Sequence, residues 1–385
     1  MNADERRCAL ALSRMGYHNI TVLRELYNAW GSMADIVKQH VHPEQLAPNM
    51  PERLLAAFAH IDEHLKRADE EMRFAQDNNI SIITLADEVY PQRLKACFDA
   101  PLALFFKGNA NLNAKHCISI VGTRKATPYA ADCIAQLTAR LKQLCPDILI
   151  VSGLAYGVDI MAHRQAIDHA LPTVAVLAHG LDTLYPTRHR KEATLMMQNG
   201  GLLTEYFSQS KIDKRNFLQR NRIVAGMSAA TLLVESAEHG GGLVTCRLAQ
   251  SYQHDVFAFP GSINNPYSVG CNRLIRDNIA GLVTSAEDIL KAMAWEEDMK
   301  ETVATNAVSS MGASVLGATS ASTAKVPNGA QAVLDVLTKE NDLHIDIIAT
   351  RAGLPVNKVL ALLFQLEMSG MVSSLSGSRY HKVNS

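Results

Sequence analysis

The residue types that can do chemistry in this chain are arginines and lysines set beside glycine-rich turns, and the chemistry they suit is anion binding. The stretch CISIVGTRKATPYA, residues 117–130, begins as an apolar strand, breaks at Gly122 and opens a helix at Pro128, a favoured first helical residue. Gly122 and Thr123 expose backbone N–H groups at the start of that helix, where the dipole favours negative charge. Arg124 adds a forked cation matched to phosphate, with Lys125 next to it. The stretch carries neither the later glycines of a dinucleotide fingerprint nor the lysine pattern of a P-loop. SGLAYGVDIMAH, residues 152–163, repeats the strand–glycine–helix order at Gly153 and Leu154. In ESAEHGGGLVTCRLAQ, Gly240, Gly241 and Gly242 allow close backbone approach, and Thr245 can cap the helix or hold phosphate.

Two basic clusters lie between these turns. Arg188, Arg190 and Lys191 follow a Tyr-Pro turn, and KIDKRNFLQRNRIVAGMS carries Lys211, Lys214, Arg215, Arg220 and Arg222 against Asp213 alone. The second cluster runs directly into an apolar strand, which places Arg220 and Arg222 near the core. A buried arginine must be paired or hold an anion, so Arg222 either binds one or pairs with Glu235 or Glu205. Asp159 and His163 have the spacing of a metal pair. Capping explains the first and local contact the second, so no metal and no cofactor is assigned. Tyr156, Tyr185, Phe207, Phe217 and Tyr267 lie in or beside the loops and can stack on bases, with core packing the competing reading for Phe217.

An enzymatic alternative is a Rossmann-like nucleotide-processing protein of the phosphoribohydrolase type. It requires a carboxylate within one helical turn of the glycine turn. HGGGLVTCRLAQ has none, and Glu235 and Glu238 precede it. No GxSxG elbow, HExxH pair or aspartate-rich cluster occurs elsewhere, so no catalytic residue is assigned. Several phosphate-friendly loops along one sheet edge suit a chain of phosphates better than one nucleotide. Aromatic residues make up only 6% of the chain, so charge should outweigh stacking and binding should fall steeply with salt.

These loops need a scaffold, and 385 residues suffice for two or three domains. Residues 1–75 read as short helices broken at Gly16 and Gly31, a SAM- or helix-hairpin-helix-like module or a plain packing or dimerisation unit. Over residues 76–295, apolar runs such as ISIITL, CISIVG, DILIVSG, TVAVLAHG and ATLLVES alternate with helical stretches. Continuous apolar strands of this kind predict an α/β domain, an extended Rossmann-like doubly wound and mostly parallel sheet. Residues 296–329, rich in Ala, Ser, Thr and Gly, read as a flexible linker. Residues 330–385 give three helices and a hairpin, the pattern of a winged helix. Its third helix holds one basic residue, Lys358, in VNKVLALLFQLEMSG, which argues for protein contact at least as strongly as for duplex reading. A net charge of −1 excludes a generally basic, histone-like mode of binding. The scattered cysteines form no CxxC pair, and no window has the length and apolarity of a membrane span, so a cytoplasmic, membrane-free protein is expected.

SIVGTR, VSGLAYGVDIMAH, GLDTLYP, LLTEY, NFLQRNRIVAGMS, LVESAEHGGGLVT and FAFPGSINNPYSVGCNRLI resemble, in order, the motifs of the DNA-processing protein A family (DprA/Smf) across residues 80–290. The resemblance implies an extended Rossmann domain that binds single-stranded DNA without catalysis. It also implies a homodimer that protects incoming strands and helps load the RecA recombinase during natural transformation. By motif, Gly122–Arg124, Gly153–Leu154, Phe217, Arg220, Asn221, Arg222, Gly240–Thr245 and Asn272 correspond to the family's binding positions. The chain departs from the pattern at Asn278–Ala280, at HGGG in place of Ser-Gly-Ser, and at Arg188-His189, where the family usually has lysine and asparagine.

Overall fold

The computed structural model describes residues 3–16, 19–46, 50–296, 330–375 and 377–383, which form two compact units. The expected linker, apart from Glu296, lies outside the described residues. The larger unit opens with five helices: α1 (Ala3–Met15), α2 (Ile20–Trp30), α3 (Met33–Lys38), α4 (Glu52–Phe58) and α5 (Ile61–Asp77). Gly31 in the left-handed region ends α2, and the Ser32 hydroxyl caps α3 by accepting the Asp35 N–H. Leu10, Leu12, Leu54 and Phe58 from these helices belong to the same continuous core as Leu85, Tyr90 and Val121 of the sheet region.

That sheet has nine strands: β1 (Ser81–Thr84), β2 (Ala103–Gly108), β3 (Cys117–Val121), β4 (Leu149–Ser152), β5 (Thr173–Val176), β6 (Gly200–Thr204), β7 (Ala230–Leu233), β8 (Asp255–Ala258) and β9 (Gly281–Leu282). Their order is β1-β2-β6-β5-β4-β3-β7-β8-β9. Pairing is parallel from β6 through β9, and antiparallel where β2 meets β1 and β6. β3 to β7 are buried along their whole length, the reason their sequences read as unbroken apolar runs. The exposed two-residue β9 has no such signal and was not anticipated by the sequence pattern.

Helices α6 (Gln92–Ala96), α7 (Pro128–Leu144), α8 (Val158–Asp168), α9 (Arg190–Met196), α10 (Lys214–Met227), α11 (Gly241–Ser251), α12 (Val269–Arg276) and α13 (Ala286–Ala292) make the connections. The chain leaves β3 toward β4, β5 and β6, then returns to place β7 on the other side of β3. The loops after β3 and β7 therefore flank the point where strand order reverses, the place where open α/β sheets bind ligands.

The smaller unit holds α14 (Ala330–Lys339), α15 (Ile345–Ala352) and α16 (Val356–Met368), with β10 (Leu343–His344), β11 (Val372–Leu375) and β12 (Arg379–Lys382) in the order β10-β12-β11. The expected three helices and hairpin are joined by one further short strand, β10. Gly353 at φ 66° caps α15, and Pro355 precedes α16, so the chain turns sharply between the two helices. Val359, Leu362, Leu363 and Leu366 face the core, while Val356, Leu360, Phe364 and Met368 form an exposed stripe at four-residue spacing.

One polar cluster ties α5 to the sheet edge. Glu71, 2% exposed, accepts hydrogen bonds from the Ser208 N–H and hydroxyl, and pairs with Arg67 at 2.7 Å. Arg67 in turn donates to the Ser208 carbonyl and lies over the Phe207 ring. Removing Glu71 leaves the buried Ser208 N–H and hydroxyl without their acceptor, at a cost of about 2 kcal/mol. Glu71→Ala should lower the unfolding free energy by about that amount, read as a shift in urea midpoint at unchanged m-value.

Candidate nucleic-acid interface

Strand β3 ends at Val121, and the chain turns through Gly122–Lys125 before α7 begins at Pro128. Across the reversal point, β7 delivers Glu235–Gly240 and the N-terminus of α11. β4 delivers Gly153–Gly157 before α8. With the first turns of α10, these loops enclose an open cavity of about 560 Å³. Of the residues singled out in the sequence, Gly122, Thr123, Arg124, Lys125, Gly153, Lys214, Phe217, Arg220, Asn221, Gly240, Gly241, Gly242 and Thr245 line it. Widely separated segments thus converge on one sheet edge.

Arg220 is the central group. It is 3% exposed, yet no described carboxylate is in salt-bridge contact with it. Its guanidinium donates instead to the carbonyls of Gly153, at 2.6 Å, and Val176. A Cβ at Gly153 would run into that guanidinium, so a side chain there would push Arg220 out of its site. Asp159, the only carboxylate among the cavity residues, sits near Arg220 and accepts weakly from the Ala155 N–H at 3.4 Å. Burial pushes the Asp159 carboxyl up, and Arg220 opposes that shift. Burial likewise pulls the Arg220 guanidinium down. Arg124, Lys125 and Lys214 are exposed on the rim and form no salt bridge with any described residue. Four basic side chains thus face one carboxylate in a partly desolvated cavity, a field suited to an anion.

Phe217 is half-buried. Its ring meets Tyr185 edge-on at 5.7 Å, and the Arg124 guanidinium lies 5.6 Å from its centroid. It therefore packs and faces the cavity at once, so neither sequence reading excludes the other. The sequence did not single out Ser236, Ala237 or His239, which also line the cavity. They lie in the loop after β7, and their place after a buried strand was the available signal.

Other singled-out residues stand apart. Leu154 is fully buried and shapes its loop at φ 56°. Arg222 is part-buried beside Glu205, its ion-pair partner, and donates to the Asp99 carbonyl at 2.5 Å. Asn272 pins the loop after β8 by bonding both the N–H and the carbonyl of Gly261. Arg188 and Arg190 are exposed beyond Tyr185, outside the cavity. His189 is buried and donates to the Leu154 carbonyl at 2.9 Å.

Fold and site together define a Rossmann-like domain with a basic cavity at its sheet edge, accompanied by a winged helix. The chain belongs to the DNA recombination-mediator protein A family, whose model matches residues 81–294; a DprA winged-helix model matches residues 317–378. Protein Smf of Escherichia coli is 32% identical over 322 residues, covering 81% of this chain and 80% of its own. The structure of DNA processing protein A from Streptococcus pneumoniae superposes with a TM-score of 0.62 at 30% identity, covering 73% of this chain and 95% of that one. DNA processing protein A from Helicobacter pylori, whose structure is described as showing a single-stranded DNA binding mode, gives a TM-score of 0.51 at 29% identity over 56% of this chain and 96% of its own.

Behind the cavity, the Asp159–His163 spacing has a structural explanation. His163 is fully buried and bonds the Thr173 hydroxyl at 2.8 Å, and burial near Arg220 lowers its pKa from 6.5 to about 3. Below pH 6.5 the unfolded chain therefore takes up a proton that the folded one refuses. Stability is complete above pH 6.5 and falls toward pH 3, with a slope of about 1.4 kcal/mol per pH unit for this one group. His163→Gln keeps a partner for Thr173 and removes that proton. Urea unfolding at pH 7 and pH 5 should show a shallower loss of stability for the variant than for the wild type.

Proposed function

We propose that the larger unit binds single-stranded DNA along this sheet edge and acts by binding rather than catalysis. The observation that carries the reading is Arg220, a buried cation at the cavity wall with no carboxylate in salt-bridge contact. A phosphate in the cavity supplies the missing charge. Gly122, Thr123, Arg124, Lys125, Lys214 and the Gly240–Gly242 turn surround the same space, and Arg188 and Arg190 extend the positive track beyond it. Phe217 and Tyr185 offer ring faces to unstacked bases, a feature that a single strand can use and a duplex cannot. Membership of a recombination-mediator family supports a role in protecting incoming strands and loading the RecA recombinase, as a cytoplasmic homodimer.

The test is fluorescence anisotropy with labelled oligo-dT and with duplex of equal length over a series of salt concentrations. Tighter binding of oligo-dT is expected, and equal or tighter duplex binding overturns the proposal. Arg124→Glu should weaken oligo-dT binding by about tenfold or more, the scale of one charge-assisted hydrogen bond. It should also reduce the log–log salt slope by about 0.7 for each phosphate that the variant no longer neutralises. Circular dichroism should stay unchanged, because Arg124 lies on an exposed loop.

A further inference from the structure

We infer that Glu235, buried behind the cavity and absent from its lining, is the positioning residue that presents Arg124 to the ligand. The inference rests on the binding function proposed above. Glu235 stands two residues past the end of β7 and is 1% exposed. Its backbone carbonyl accepts the Thr123 N–H at 2.8 Å. Its carboxylate accepts twice from Thr127: the N–H bonds Oε2 at 2.9 Å and the hydroxyl bonds Oε1 at 2.7 Å. One residue from across the reversal point therefore holds both ends of the Thr123–Thr127 loop, and Arg124 and Lys125 project between the two anchor points.

Thr127 sits at the N-cap of α7, where a threonine hydroxyl ordinarily accepts a hydrogen bond from the first turn. Here it makes no capping bond and donates to Glu235 instead. The cap is given up for the anchor. On its other side the loop rests on Gly157. The Val158 N–H donates to the Thr123 carbonyl at 3.1 Å, and a side chain on Gly157, at φ 75°, would collide with Thr123 and Arg124. Among the charged groups, Arg222 pairs with Glu205, so the Glu235 carboxylate is left to Thr127. An unanchored loop would spread Arg124 over many rotamers and backbone states, and ordering it on binding would cost affinity.

The experiment measures oligo-dT affinity and its salt slope in paired variants of the full chain. Glu235→Met removes both acceptors at similar length, and Thr127→Val removes the hydroxyl at constant shape. Each should weaken binding by about tenfold and lower the salt slope toward that of Arg124→Ala. Glu235→Gln, which keeps an acceptor, and Thr127→Ser, which keeps the hydroxyl, should restore most of the affinity. In the double variants with Arg124→Ala, the additional loss should be small, because the anchor acts through Arg124. Wild-type affinity and slope in Glu235→Met and Thr127→Val overturn the inference and leave the binding function intact. Losses that multiply fully with Arg124→Ala also overturn it, since they mark a structural defect. If Glu235→Met does not fold, the Thr127 pair decides alone. A wild-type protein that fails to bind oligo-dT sinks the binding function itself.

Discussion

A guanidinium held almost entirely by backbone carbonyls is the constraint around which this site is arranged. Arg220 has left water with no described carboxylate in salt-bridge contact, so its charge is answered by dipoles, the carbonyls of Gly153 and Val176 and the amide oxygen of Asn221, and by the field of nearby Asp159. Dipoles offset part of the desolvation cost and leave a residual attraction for anions. The position of that charge dictates its surroundings. Gly153 has no room for a side chain, and the loop that carries it must arrive at the end of β4 beside α10. The nearby Asp159 attracts Arg220 without reaching salt-bridge contact, and burial pushes its carboxyl up.

Arg220 and Arg222 show how finely a helix sorts two identical side chains. Two residues along α10 turn the direction by about 200°, so one arginine faces the cavity and the other faces away. Arg222 meets Glu205 and the Asp99 carbonyl in a closed pair, whereas Arg220 meets carbonyls at the cavity wall. The sequence told us that both would be near the core, because RNRIVAGMS runs into a buried strand. It left Arg222 with two possible carboxylates. The choice between Glu205 and Glu235 depends on strand order: Glu205 follows β6, while Glu235 follows β7, on the other side of β3.

The same limit explains what else was and was not legible. Apolar runs exposed the central strands because burial on both faces imposes a composition on each strand by itself. The loops that face the cavity were legible through their glycines and cations, again local features. The anchor between Glu235 and Thr127 joins residues more than a hundred positions apart, and no local pattern marks it. A glutamate closing an apolar strand is nonetheless a question the sequence poses, since a buried carboxylate needs donors. Ser236, Ala237 and His239 escaped notice because their only distinction is position at the reversal of strand order.

The winged helix divides the electrostatic labour further. Duplex recognition by a helix of this kind draws on phosphate neutralisation, and each cation supplies part of it. The outward face of α16 instead shows Val356, Leu360, Phe364 and Met368. Lys358 is the single basic residue of that helix, so little counterion release is available there. In the larger unit, by contrast, four cations face one carboxylate around a partly desolvated cavity. A chain with a net charge of −1 can hold a polyanion only if its cations are collected in one place, and the convergence of loops at the reversal of an otherwise ordinary sheet is what collects them.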